Sequence, residues 1–350
     1  MLVAAFRASA WRLVFAAALV AFFARETVHA AEASPTLIAA AKKEGRVVLY
    51  TPLIVDQVVR PLAAAFRAKY GIPVEFARMD SNSVVLRITT EHRAGRGAAD
   101  VFTTTLGLEA LIASKSIRKF QSVSAAELPA GYKDPNGYWA SVRLHVFGPA
   151  VNTDLVKPAD YPKTYEDLLS PKWTGKMVWR RNDLTGASGF VGNVLIGMGE
   201  EKGMQYLRKL AAQKIIQVTI SDRALLDQVI AGEYAMTTVV TNHNVEISRK
   251  QGAPVAWIPL EPAMMSSEQI GLTTLGPHPN AGLLFVEYAL SREGQTVFQK
   301  AGYIPAHPAV PPLDPKLVPS TGGFKVNLVT PEIVEKNRKH WDDVAQQLFR

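Results

Sequence analysis

Two periods alternate along the chain, a helical one and an extended one. A helical stretch from Pro35 to Lys43 is ended by Gly45, and the apolar run Arg46 to Tyr50 (RVVLY) behind it reads as a buried strand. Val58 to Tyr70 is again helical and stops at Gly71, after which Val74 to Phe76 forms a second strand. A polar loop, Asp80 to Ser83, leads into a helix from Val84 to His92. The strand Ala98 to Phe102 then feeds a helix from Leu108 to Ser114. Strand, helix, strand at this spacing makes βαβ units, whose parallel pairing gathers the loops after the strands on one sheet edge. The fold class is therefore α/β. Further on, Ala140 to Phe147 alternates as a strand, Met177 to Trp179 is a short strand before an apolar helix, and Gly271 to Leu275 is a strand before the helix Pro279 to Ser291. Thr164 to Leu169 reads as a capped helix, with Asp167 three residues after Thr164. Ala289 to Gln295 opens a helix that ends at Gly302, Pro305 to Pro319 is an extended strap, and Pro331 to Phe349 is a terminal helix. The polar face of that helix, with Glu332, Glu335, Lys336, Lys339 and Asp343, is expected to meet solvent.

The first thirty residues change this picture. Arg7 and Arg12 flank an apolar run, Leu13 to Ala24, and small residues follow around Ala30, the pattern of a cleaved signal peptide. The run is shorter than the roughly 20 apolar residues that span a bilayer. With no cysteine in the chain, disulfides, thiolate metal sites and lipidated cysteines are excluded. The expected location is the periplasm. Losing residues 1 to 30 lowers the formal charge from +8 to +6. The remainder, about 320 residues, exceeds the usual single-core size and predicts two domains. No long basic run or basic-aromatic interleaving points to nucleic acid, and the mild positive balance suits anionic solutes.

The candidate chemistry lies in the polar loops. Three strands end in Thr51, in Ser81, Asn82 and Ser83, and in Thr103 to Thr105, which together read as one wall of a polar cleft. The stretch Met177 to Asn193 (MVWRRNDLTGASGFVGN) joins a strand to a helix through Arg180, Arg181, Thr185 and Ser188. Free helix N–H groups beside two arginines suit an anion; a capped turn with solvated arginines is the other reading of the same residues.

Enzymatic and cofactor motifs do not emerge. Gly197-Met198-Gly199 lacks the third glycine of a dinucleotide loop, and no phosphate-loop GxxxxGK occurs. Gly186 to Phe190 lacks the last glycine of a nucleophile elbow, and the histidines show no HExxH spacing. No catalytic residue, cofactor or metal ligand is assigned.

The succession VNTDLV, YPKTYEDLLSPKWTGKMVW, GEYAMTTVV and ALSREGQTVFQKAGYIPAHP resembles the periplasmic solute-binding proteins of bacterial ABC importers, in the branch that contains ferric-ion binders. The resemblance covers roughly Lys42 to His307. It implies a two-lobed clamp of the type II kind, each lobe a mainly parallel sheet flanked by helices, with strands crossing between lobes near Val146 to Asn152 and Trp257 to Leu260. Lobe 1 would comprise residues 31–147 and about 259–305, and lobe 2 residues 148–258 and about 306–350. Ferric members hold iron through two consecutive tyrosines downstream of a Gly-Glu pair. Counted from Gly232-Glu233, those positions are Asn242 and His243. An amide and an imidazole lack the anionic oxygens that a hard cation prefers. The expected activity is capture of a small solute with an anionic group, by a monomer that delivers it to an ABC permease and its ATPase; a ferric-iron carrier, a ligand-sensing receptor and an enzyme on the same fold are the alternatives.

Overall fold

The computed structural model describes residues 33–181 and 184–349; the expected signal peptide lies outside them. The first half runs α1 (Pro35–Glu44), β1 (Val47–Thr51), α2 (Arg60–Tyr70), β2 (Val74–Arg78), α3 (Ser81–Arg93), β3 (Val101–Thr104), α4 (Leu108–Ala113), β4 (Ile117–Arg118) and α5 (Val123–Ala126). The long strand β5 (Ala140–Asn152) follows, then β6 (Met177–Arg180), α6 (Ala187–Met198), α7 (Glu200–Ala211), β7 (Ile216–Val218), α8 (Asp222–Ile230), β8 (Met236–Thr241), α9 (Asn242–Lys250) and β9 (Val255–Trp257). The chain ends with β10 (Ala263–Thr273), α10 (Pro279–Leu290), α11 (Arg292–Lys300), β11 (Ile304–Pro305), α12 (Pro319–Gly322), β12 (Val326–Leu328) and α13 (Pro331–Leu348).

The glycines that punctuate the sequence do so for a conformational reason. Gly45 and Gly71 close α1 and α2 with φ of 81° and 77°, the left-handed geometry that side chains resist. Thr164 to Leu169 is capped as expected: the Asp167 carboxylate accepts from the Lys163 and Thr164 amides at 2.8 and 2.9 Å. It forms a single tight 3₁₀ turn, Glu166–Leu169, rather than an α-helix.

All strands belong to one mixed sheet in the order β2-β1-β3-β10-β5-β8-β6-β7, with β4 and β12 added to β10 and β9 and β11 to β5. At one end β1 pairs in parallel with β2 and β3, and at the other β6 pairs in parallel with β7 and β8, so each end is built from βαβ units. The two ends are joined by the antiparallel pair β5 and β10, whose register sets Arg143 opposite Glu268 and Phe147 opposite Met264.

The apolar core divides along the same line. Val47, Leu49, Phe66, Val101, Val142, Leu144 and Phe285 belong to one cluster, while Met177, Trp179, Phe190, Leu207, Met236 and Trp341 belong to another. β5 enters both: Val142, Leu144 and Val146 pack in the first cluster, Phe147 and Val151 in the second. Leu317 of the strap and Phe324 beyond it pack in the first cluster, and Val329 and α13 in the second. The sequence grouped residues 306–350 together with the second half; their apolar side chains divide between the two cores near β12.

Candidate functional site

A cleft of about 430 Å³ opens between the halves. One wall is α3, the loop after β3 and α4, through Asn82, Arg93, Thr105 and Glu109; the other is α13, through Val334, Glu335 and Arg338. Ser266, Ser267 and Gln269 of β10 also line it. The register accounts for this floor: Gln269 sits opposite Thr104 of β3 and Ser141 of β5, after an irregularity at Glu268/Gln269. Such a bulge re-aims side chains beside the strand. Glu335, expected at the solvent face of the terminal helix, is exposed there and also lines the cleft. An amphipathic pattern marks a polar face but does not distinguish bulk water from a water-filled cleft.

Among the strand-end residues chosen from the sequence, Asn82 and Thr105 line this cavity, and the others answer local backbone needs. Thr51 is fully buried; its hydroxyl lies 2.7 Å from that of Thr103 and accepts from the Leu53 amide. The Thr104 hydroxyl donates to the Leu106 carbonyl at 2.7 Å. Ser81 accepts from the Thr105 amide at 3.2 Å, tying the start of α3 to the end of β3. Asp80, absent from the chosen set, is the N-cap of α3, accepting from the Ser83 amide at 3.0 Å and from the Ser83 hydroxyl at 2.7 Å. These donated bonds, led by that hydroxyl, hold the Asp80 carboxyl below its ordinary pKa.

The arginine stretch likewise turns onto itself. Arg180 donates to the Ile220 carbonyl at 2.8 Å and to the Thr185 hydroxyl at 2.6 Å. Arg181 is exposed and reaches Gln217 at 3.3 Å. The glycines behind them serve close packing: a Cβ on Gly189 would lie 1.8 Å from the Leu184 carbonyl oxygen, and one on Gly192 would lie 2.5 Å from the Trp341 ring. Ser188 is 2% exposed and its hydroxyl has no partner among the described residues. Asn182 and Asp183, between the arginines and this helix, lie outside the described residues.

Asn242 and His243 begin α9 next to the junction of the halves. Asn242 is fully buried and donates its amide to the Leu317 carbonyl at 2.8 Å, which fastens the strap. His243 stands edge-on to Tyr303, with ring centroids 5.1 Å apart, and its centroid is 5.8 Å from that of His145. Burial, then the charge of Arg143, lowers the His243 pKa to about 3, and burial likewise holds His145 well below 6.5. Both rings are therefore neutral at neutral pH. Among the described residues, neither nitrogen of His145 has a partner, and Nδ1 of His243 has none. Arg143 itself donates to Glu268, Nη2 to Oε2 at 2.6 Å, and lies over the Tyr303 ring at 4.3 Å. Sequence reading passed over His145, Arg143 and Glu268 because only the pairing of β5 with β10 sets two of them face to face. Alternating strand positions 143 and 145 are the one signal that places a charge and an imidazole on one face.

The arrangement suits non-covalent capture: two walls on separate cores, a polar floor on the strands that join them, and basic and acidic side chains at the rim. The sequence profile of the bacterial extracellular solute-binding proteins matches residues 98–325, well over half of the chain. The chain belongs to this family. As a solute-binding protein it is of the class that captures substrate for ABC-type importers. Iron uptake protein A1 of Synechocystis sp. is 23% identical over 279 residues, 75% of this chain and 76% of the relative. An uncharacterized protein of Haemophilus influenzae is 24% identical over 276 residues, 75% of this chain and 78% of that one. Iron-bound HitA from Pseudomonas aeruginosa shares the fold with a TM-score of 0.72 at 21% identity, over 87% of this chain and all but 1% of that one, which is covered to 99%. The periplasmic binding protein AfuA from Actinobacillus pleuropneumoniae, with exogenous fructose-6-phosphate bound, matches with a TM-score of 0.71 at 21% identity, over 86% of this chain and 99% of AfuA.

Proposed function

We propose that this solute-binding protein takes up a small solute bearing an anionic group, such as a phosphonate, a phosphate ester or a carboxylate, between its two halves in the periplasm and delivers it, as a monomer, to an ABC permease and its ATPase. The cleft carries the reading: about 430 Å³ is within the usual range for small-molecule sites, and Arg93 and Arg338 approach it from opposite walls. Asn82 and Ser267 offer neutral hydrogen-bond donors between them. A ligand that touches both walls stabilises the closed arrangement over any open one, and this differential contact is the whole mechanism. The joint would be β5 and β10, the strands that run through both cores.

Binding fits the residues better than catalysis. The Asp100–His278 pair resembles half of a hydrolytic triad, with His278 Nδ1 3.0 Å from the carboxylate, but its Nε2 accepts from Arg46 at 3.3 Å and Asp100 also receives the Val48 amide. It braces the start of β1 and the start of α10.

The iron relatives support a second reading, a ferric carrier. Its donor set is poor here: Asn242 offers a neutral amide oxygen and His243 a neutral imidazole close to the positive Arg143, and neither is the anionic oxygen that a hard cation prefers. A thermal-shift screen over phosphonates, phosphate esters, carboxylates and ferric salts separates the two. A ligand present at 100 times its Kd adds about 2.7 kcal/mol. The anionic reading expects a raised Tm with one of the first three classes and none with iron alone; a shift with ferric salts alone overturns it.

A further inference from the structure

The cleft carries more acid than an anion trap requires. Glu109 stands on α4, whose Leu108 and Leu111 pack beside β3, while Glu332 and Glu335 stand on α13, whose Trp341 and Val344 belong to the second core. Glu109 and Glu335 both line the cavity, so closing the halves brings like charges together across it. The Glu109 carboxyl registers this: burial, then Glu335 and Glu332, push its pKa above the ordinary value. Left alone, the arrangement opposes closure.

A separate observation says what would relieve it. Gln269, 2% exposed on the floor of the same cavity, gives its amide nitrogen to Ser267, to the carbonyl at 2.7 Å and to the hydroxyl at 3.0 Å. Among the described residues its carbonyl oxygen has no partner. A buried acceptor without a donor costs about 1–3 kcal/mol. Two carboxylates and an orphaned amide oxygen all call for the same group, a cationic N–H donor.

We propose that the cleft holds an ammonium group of its solute between Glu109 and Glu335, with the Gln269 carbonyl accepting one of its protons, while the anionic end meets Arg93 and Arg338. The cargo class is then a small zwitterion, an amine joined to a phosphate, phosphonate or carboxylate. This rests on the capture reading above and narrows it. The ammonium also couples binding to closure, since it replaces a repulsion across the cleft with two attractions.

Three probes of similar size test it by thermal shift and titration calorimetry: O-phosphoethanolamine, ethyl phosphate and ethanolamine. The expected order of affinity places O-phosphoethanolamine at least tenfold ahead of ethyl phosphate. Both Glu109→Gln and Glu335→Gln should remove that advantage without weakening ethyl phosphate, and should leave the ligand-free protein as stable as the parent or more so. Ethyl phosphate binding as tightly as O-phosphoethanolamine overturns the ammonium site and leaves the anionic reading standing. Ethanolamine binding while neither phosphate competes supports the ammonium site and overturns the anionic reading. A flat response to all three counts against both.

Discussion

Replacing Arg143 with methionine removes one member of a buried ion pair at the point where β5 and β10 join the two halves. Glu268 is fully buried, and both polar contacts from the guanidinium, Nε at 2.7 Å and Nη2 at 2.6 Å, go to its Oε2. Methionine fills much of the volume but leaves a carboxylate without a counter-charge, a defect that costs about 3–5 kcal/mol. Loss of the guanidinium from the Tyr303 face, where it lies 4.3 Å from the ring centroid, adds about 0.5–1 kcal/mol. Urea denaturation of the purified protein should show the midpoint falling by that sum divided by an unchanged m-value. The second half of the experiment is Arg143→Met with Glu268→Leu. Once both charges are gone the strands are joined by apolar packing alone, and the double variant should recover to within about 1 kcal/mol of the parent. A single variant that loses less than about 1 kcal/mol, or a double variant no more stable than the single, refutes the view that an uncompensated charge at this junction is what the pair prevents.

Three further outcomes follow from the same structure. His145 and His243 stay neutral when folded but protonate near pH 6.5 when unfolded, so the stability they confer is present above pH 6.5 and is lost as the pH falls below it, for His243 down to about pH 3 and by up to about 1.4 kcal/mol per pH unit. Denaturation curves at pH 7.5, 5.5 and 4.5 should show this slope, and His243→Gln should flatten it; an unaltered slope argues against the buried imidazole. Gly192→Ala places a methyl 2.5 Å from the Trp341 ring, so α13 must shift; a loss of about 1–3 kcal/mol is expected, together with weaker ligand binding by titration, because α13 is a wall of the cleft. Asn242→Ala releases the Leu317 carbonyl, a change worth about 1 kcal/mol, and hydrogen exchange should quicken around residues 315–318 while β1 and β3 are unaffected.

Much of the architecture was legible because its signals are local. Gly45 and Gly71 end helices through their own backbone geometry, and RVVLY is a strand on the period of its apolar residues. The polar strand ends were also visible, but their hydroxyls were open to two uses, ligand or backbone. Thr51, Ser81 and Thr104 bond neighbouring loops, a choice set by how β1 and β3 lie side by side. The walls of the cleft were harder to see, since they join residues as far apart as Glu109 and Glu335, and no local pattern sets that distance. The same holds for Gln269, whose aim depends on a bulge in β10.

That α13 supplies one wall has a temporal consequence. A chain is made from its N-terminus, and domains tend to fold in that order. The second core is incomplete without residues beyond 330, since Trp341, Val344 and Phe349 pack with Trp179 of β6 and Gln217 of β7 donates to the Phe349 carbonyl, and the cleft likewise needs Glu335 and Arg338 of α13. Any folding intermediate that has not docked α13 therefore lacks both part of the second core and one wall of the cleft.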